Sequence, residues 1–377
     1  MSSFRFTVID RPFELREHLG AWDELSACAI EPNPFYEPWM LLPALEAFGR
    51  GLPLSLVLVY AVNAGREPLL CGLFPLERVP SYKALPLRHV RLWRHLHCFL
   101  GTPLLRRGYA HACLEAFLDW LSDWRSASMM QWGRIAGDGP FYRALHEVLG
   151  RSGRRSFVSQ SFERAVLRRR ADAESYLCES LSRGGRKELR RLERRLSEEG
   201  ALRYEALAPG GHAAPWIEEF LALEARGWKG SRGSALECSG PGRLFFTAAA
   251  AEAARRGRLM MLALRVGSRA VAMKCNFLAQ DGAFAFKIAY DEDYARFSPG
   301  TLLELENIHE LHRRPGLSWM DSCAESDHFM ANRLWLERRV IVSLLTTTGN
   351  AGGELLVSSM PLLRRVTAGL RAAPQPA

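Results

Sequence analysis

The sequence predicts an α/β fold of the mixed-sheet (α+β) kind, built twice over. Three observations carry this. Apolar residues alternate along the chain between the two-residue period of strands and the 3.6-residue period of helices. The two halves give nearly the same element order, β-α-α-β-β-β-α-β-α-β. A basic stretch, Arg168-Arg169-Arg170-Ala171-Asp172, marks the join between them. Two copies of one pattern point to an internal duplication with no close sequence repeat behind it.

In the first half, residues 5–9 read as a strand and 14–25 and 37–48 as helices. Residues 54–62 and 69–79 are strands joined by Asn63-Ala64-Gly65, and 90–93 is a third strand. A helix at 112–124, a strand at 129–135, a helix at 142–149 and one or two strands within 157–168 complete the copy. The joining helix, 173–198, carries Leu177, Leu181, Leu189, Leu192 and Leu196 as an apolar stripe, and its arginine-rich face reads as solvated scaffold. In the second half, 202–206 is a strand, and 215–226 is a helix that Gly227 ends. An alanine-rich helix covers 244–256, and strands at 259–266, 270–278 and 283–289 turn at Gly267-Ser268 and Gln280-Asp281-Gly282. Ser298 stands as N-cap and Pro299 as first residue of a helix running to about 312. A strand at 317–321, a short helix at 328–336 and a strand at 340–346 follow.

Composition narrows the function. The 377 residues are 48% hydrophobic and 24% charged, an ordinary globular balance. The longest uncharged apolar run, residues 51–65, is too short to span a bilayer as a helix, and Met1-Ser-Ser-Phe-Arg opens no signal core. Eight cysteines without a Cys-x-x-Cys pair fit reduced thiols, so a cytoplasmic location is expected. The net charge of +9 is uneven, because residues 151–196 hold 14 Lys plus Arg against 6 Asp plus Glu, a local +8. Only five basic residues are lysine (Lys83, Lys187, Lys229, Lys274 and Lys287), which makes each a candidate for a position where a compact ammonium is wanted, against the alternative of an ordinary surface lysine. His95, His97 and Cys98 lack an accompanying carboxylate, so no metal is expected. The P-loop, the Gly-x-Ser-x-Gly elbow and the Rossmann fingerprint in its structural context are all absent.

The informative segment is Lys287-Ile-Ala-Tyr290-Asp291 followed by Arg296-Phe-Ser298-Pro299-Gly300-Thr301. A helix N-terminus offers backbone N–H groups and a positive dipole end to an anion. Gly300 removes a side chain where a ligand approaches, and Arg296 adds charge just ahead of it. Residues 296 and 298–301 are therefore the expected binding residues for a pyrophosphate or another anion, and the resemblance named next makes that anion the donor's.

With the element order, this run resembles the GNAT acyltransferase superfamily. It is most similar to the tandem-GNAT bacterial family known as cellulose-biosynthesis-associated acetyltransferases, relatives of the Fem peptidyltransferases. Leu223-Glu-Ala-Arg-Gly-Trp228-Lys229-Gly230-Ser-Arg232-Gly233, Arg186-Lys187-Glu-Leu-Arg190 and Leu100-Gly101-Thr102-Pro103 carry the same resemblance, which covers about residues 20–345. It implies two GNAT-like acyl-CoA N-acyltransferase domains in tandem. Residues 1–168 would be a degenerate N-terminal domain, 169–365 a C-terminal domain with the donor site, and 366–377 a flexible tail. Acetyl-CoA or another acyl-CoA would be the donor, with no metal. The acceptor would be an amine or hydroxyl on a small molecule or glycan, in exopolysaccharide or cell-envelope biosynthesis, with a polysaccharide-synthesis complex as the implied partner.

The resemblance also implies roles. Asp321 would be the proton acceptor across the cleft from Lys287, Lys287 would hold a donor phosphate or an acceptor carboxylate, and Tyr290 would protonate the departing thiolate. Asp291 would orient them. Trp228, Lys229 and Arg232 would lie on a loop over the acceptor, with His328 lining the cleft. The usual phosphate loop, Arg/Gln-x-x-Gly-x-Gly/Ala, is represented here by one glycine shifted by a position. That departure keeps open a Fem-like aminoacyl transfer from charged tRNA, which the local +8 favours. A non-catalytic subunit of a polysaccharide-synthesis complex is the third alternative.

Overall fold

The computed structural model describes residues 3–82, 87–123, 127–349 and 352–360; the expected tail, 366–377, lies outside them. In chain order the first half gives β1 (Ser3–Ile9), α1 (Leu19–Cys28), α2 (Pro38–Phe48), β2 (Leu54–Val62), β3 (Leu69–Val79), β4 (His89–Leu92), β5 (Leu104–Leu105), α3 (Ala110–Asp123), β6 (Met129–Ala136), α4 (Pro140–Arg151) and β7 (Ser156–Arg168). The second half gives α5 (Ala173–Ser180), α6 (Arg183–Ser197), β8 (Leu202–Ala206), α7 (Ala213–Arg226), α8 (Trp228–Ser231), α9 (Gly240–Arg255), β9 (Leu259–Val266), β10 (Arg269–Ala279), β11 (Gly282–Tyr290), α10 (Pro299–Arg313), β12 (Trp319–Asp321), α11 (Phe329–Leu334) and β13 (Glu337–Thr347).

The chain divides into two compact units, and they interleave in sequence instead of meeting at residue 168. The described residues of the first unit fall within Met1–Tyr36, Gly51–Phe162 and Val340–Ala377; the second holds Glu37–Arg50 and Glu163–Arg339. The reason lies in the last strand of each half. In the first unit the sheet runs β1-β2-β3-β4-β6-β13, with β13 antiparallel to β6 (Ile341 opposite Ala136). In the second it runs β8-β9-β10-β11-β12-β7, with β7 antiparallel to β12 (Val166 opposite Asp321). Each sheet is thus completed by the final strand of the other half of the sequence. Both sheets place an antiparallel run of four strands beside one parallel pair, β4–β6 in the first and β11–β12 in the second. The duplication read from element order is a duplication of sheet topology.

Helix α2 belongs to the second unit for a packing reason. Trp39 meets Phe277 at 5.4 Å between ring centroids, and Phe48 meets Phe245 at the same separation. The first unit has its own core around Phe74, Phe117, Trp132 and Phe141.

The expected helix 173–198 is two helices. Leu181 is extended at φ −124° and ψ 130°, and Ser182 restarts the helix by accepting the Gly185 N–H on its side chain at 3.1 Å. A serine that captures a nearby amide competes with helix continuation, and the break follows. The glycine-rich loop after α7 is itself partly helical, as α8.

Candidate functional site

The second unit's sheet opens at the parallel pair. β12 pairs with β11 from Gly282 to Phe284, and among the described residues none pairs as a strand with 285–290 of β11 on that side. On its other side β11 keeps its register with β10, shifted once where Cys275 gives way to Asn276. Side chains alternate along β11. Ile288 and Tyr290 face the start of α10, where a Cβ built on Gly300 would stand 3.8 and 3.7 Å from them. Lys287 projects to the opposite side, toward α7, and donates to Glu224 Oε1 at 3.0 Å.

A cavity of about 400 Å³ sits at this opening. It is lined by Ile288 and Tyr290 of β11, by residues 298–301 at the start of α10, by Trp228 and Lys229 of α8, and by His328, Phe329 and Met330. Eight of the residues singled out from the sequence meet here: Trp228, Lys229, Tyr290, Ser298, Pro299, Gly300, Thr301 and His328.

Ser298 occupies the N-cap position in an unusual way. It is left-handed (φ 52°, ψ 51°), a conformation that strains a non-glycine residue, and its side chain makes no capping bond. The N–H groups of Thr301 and Leu302 return to the Ser298 carbonyl at 2.9 and 3.1 Å, and Pro299 has none. Gly300 is therefore the first-turn amide left to a ligand, a narrower anion site than a bare helix terminus. A methyl group at Gly300 would make only ordinary contacts, so the protein's own packing does not demand glycine there.

The cluster beside the cavity was not foreseen in full. Glu224 is buried on α7. Its Oε2 accepts the Leu236 N–H at 2.9 Å, and its Oε1 accepts from Lys287 and from Lys229 at 3.0 and 3.1 Å. Lys229 also donates to the Ile288 carbonyl at 2.8 Å, on the open edge of β11. Burial alone would raise the Glu224 pKa, but the two ammonium groups outweigh it and hold the carboxyl below its usual value. Burial lowers the Lys229 pKa, aided by the like charge of Lys287 and opposed by Glu224. Glu224 continues the buried stripe Ile217, Phe220, Leu221 at helical spacing. An acid at an apolar-stripe position is the sequence signal that would have found it.

Other expected residues lie elsewhere. Asp321 is 0% exposed at the end of β12. It meets Arg164 at 2.7 Å and Arg339 at 2.8 Å, and accepts the Cys323 N–H at 2.8 Å. Its desolvation is overcome by these cations, which keep its pKa below 3.8. The expected pairing of Lys287 with Asp321 does not form, because each has a different counter-charge and Lys287 points to α7. Doubly paired and without access to solvent, Asp321 is placed as a structural counter-ion and not as a base that meets a ligand. Asp291 is likewise engaged: it accepts from Arg269 at 2.8 Å and caps the short turn Glu292–Phe297. Arg296 turns to Glu199 at 2.8 Å and lies over the Phe297 ring. Arg232 stacks on Trp228 at 5.2 Å. None of the four lines the cavity. Among the described residues no group of three or more His, Cys, Asp or Glu side chains is arranged to hold a metal, and no helix is long and apolar enough to cross a membrane.

Comparison with known proteins agrees with this geometry. Residues 183–329 match the family model of the acetyltransferase (GNAT) domain. No curated protein sequence matches the chain. Among solved structures the chain is similar to FemX, with 10% identity and a TM-score of 0.55 over 87% of this chain and 95% of that one. It is also similar to a conserved protein of unknown function from Bacteroides thetaiotaomicron (12% identity, TM-score 0.52, 92% and 99% covered). A third neighbour is the C-terminal domain of a protein assigned as lysylphosphatidylglycerol synthetase from Agrobacterium fabrum (11% identity, TM-score 0.51, 92% and 96% covered). At these identities the likeness is one of fold. The fold class is mixed α/β, and the match to the GNAT domain model falls within the unit that carries the cavity.

Proposed function

We propose that this protein is an acyltransferase that takes an acyl group, acetyl in the simplest case, from a CoA thioester and gives it to an amine or hydroxyl acceptor. One observation carries the reading: the unpaired edge of β11 and the start of α10 share a single cavity. Donor phosphates would meet the Gly300 amide and the positive end of α10. The thioester would lie along residues 285–290 of β11, where backbone N–H groups polarise its carbonyl. The acceptor atom then bonds to the carbonyl carbon, the carbon–sulfur bond breaks, and the sulfur leaves with the electron pair. The acceptor releases one proton to solvent, Tyr290 gives one to the leaving sulfur, and Tyr290 is reprotonated from solvent, so no net proton is gained or lost. Trp228 and Phe329, 43% and 75% exposed, flank the entry. Most of the acceleration would come from positioning.

Gly300→Glu puts bulk and negative charge where the phosphates dock. Its affinity for acetyl-CoA by calorimetry should fall at least tenfold with the melting temperature unchanged, whereas Gly300→Ala should bind as the parent does. Equal affinity in parent and Gly300→Glu removes the donor assignment.

A second reading, aminoacyl transfer from charged tRNA, is favoured by one feature. Arg183, Lys187, Arg190 and Arg194 form an exposed ridge on α6 at helical spacing. Tight, strongly salt-dependent tRNA binding together with no acetyl-CoA binding would select it. A role in exopolysaccharide, cellulose or cell-envelope biosynthesis, catalytic or as a non-catalytic subunit, rests on sequence resemblance.

A further inference from the structure

We infer that the acceptor carries a carboxylate beside its nucleophilic nitrogen, and that Lys229 and Lys287 bind that carboxylate. The inference rests on the acyltransferase reading above and names the acceptor class for the same site.

The argument begins with charge. One carboxylate, Glu224, faces two ammonium groups within 3.1 Å, all three largely buried, with Lys229 20% and Lys287 11% exposed. The surrounding charges do not cancel the surplus. Glu292, on the turn after β11, is taken up by the Trp228 N–H, and Arg232 adds a cation over Trp228. Lys274, on β10, is matched by Glu304 of α10 at 2.7 Å. His328, on the far wall, accepts the Ala331 N–H on Nδ1. The Glu224 cluster is left with one more cation than anion, a state that a buried site tolerates poorly without a counter-charge.

Donor capacity points the same way. An ammonium has three N–H bonds. Lys287 uses one, on Glu224, and Lys229 uses two, on Glu224 and the Ile288 carbonyl. Three N–H donors are left for a ligand anion.

Position says which ligand. The donor's phosphates belong at residues 298–301, on the α10 side of β11. Lys287 projects to the α7 side, and Lys229 holds the strand edge between the two. An anion bound there stands next to the thioester without being part of the donor. Two lysines with a surplus of one charge match a singly charged carboxylate. The acceptor class that follows is the amino acids and short peptides, whose amine and carboxylate lie a few bonds apart.

The experiment uses the full chain. CoA release from acetyl-CoA is followed with a panel of L-amino acids and, for each, its carboxamide, which keeps the amine and removes the anion; glucosamine serves as a neutral-backbone amine. The expected result is a kcat/KM at least tenfold higher for an acid than for its amide. Lys287→Met, which leaves Glu224 paired with Lys229, should bring that ratio near one while acetyl-CoA affinity stays within twofold. Lys287→Arg should restore most of the ratio. The acid preference should decline as pH rises through the depressed Lys229 pKa, because only the protonated amine binds an anion. Equal rates for acids and amides, a preference for glucosamine, or turnover with none of the acids overturns the inference while leaving the donor site standing. Failure of acetyl-CoA to bind at all removes the acyltransferase reading itself.

Discussion

Asp321 closes β12 with its carboxylate held between the guanidinium groups of Arg164 and Arg339. A carboxylate closing a strand beside a helix start reads as a base, because strand ends are where α/β folds place chemistry. What linear order hides is Arg164, on a strand from the other half of the chain, and Arg339, just beyond α11. Neutralising Asp321 takes a buried carboxylate from between two largely buried guanidinium groups. Asp321→Asn should cost about 3–5 kcal/mol of stability, read as a lower urea midpoint. The pH dependence has a definite sign. The folded-state pKa of Asp321 lies below its unfolded value, so the stabilisation is complete above about pH 4 and is lost as pH falls through the folded value. The gap between parent and Asp321→Asn should therefore shrink on acidification below pH 4. A gap that does not change with pH would show that the ion pairs are not its source. Lys229 is the converse case: scarcity of lysine singled it out, and the structure puts it on the cavity wall.

At the scale of elements, the start of α10 and the strand before it were legible because turn chemistry and N-terminal proline act over a few residues. The left-handed Ser298 was not, since backbone strain leaves no composition signal. Helix α8 was also missed, being only four residues long. Its geometry depends on Gly230. A Cβ there would stand 1.7 Å from the Ala225 carbonyl oxygen of α7, a backbone atom that cannot step aside. Gly230→Ala must push α8 away from α7, and Trp228 and Lys229 move with it. Overpacking of this kind typically costs about 1–3 kcal/mol. The expected outcome is a folded protein with at least tenfold weaker acetyl-CoA binding by calorimetry. Unchanged binding would show that α8 does not shape the cavity.

For the whole molecule, the two similar halves could be counted from local periodicity, but the assignment of strands to sheets could not. Hydrophobic patterning says that β7 and β13 are strands; it does not say which neighbour each will choose, because strand pairing is made by backbone groups that every candidate partner offers. The register with β6 and β12 settles it. A cut at residue 168 would give an N-terminal fragment without β13, its first-unit sheet ending at β6 with an unpaired edge. The C-terminal fragment would lack β7, which pairs with β12, and α2, which buries aromatic rings against α9 and β10. Unpaired apolar edges and uncovered rings drive association and aggregation. Each fragment expressed alone should be insoluble or partly unfolded by circular dichroism. Co-expressed, the two should recover a soluble complex that co-purifies, because every missing element is then supplied. Independent folding of residues 169–377 with a cooperative melt, and acetyl-CoA affinity equal to that of the intact chain, would show that neither β7 nor α2 is needed to hold the cavity in shape.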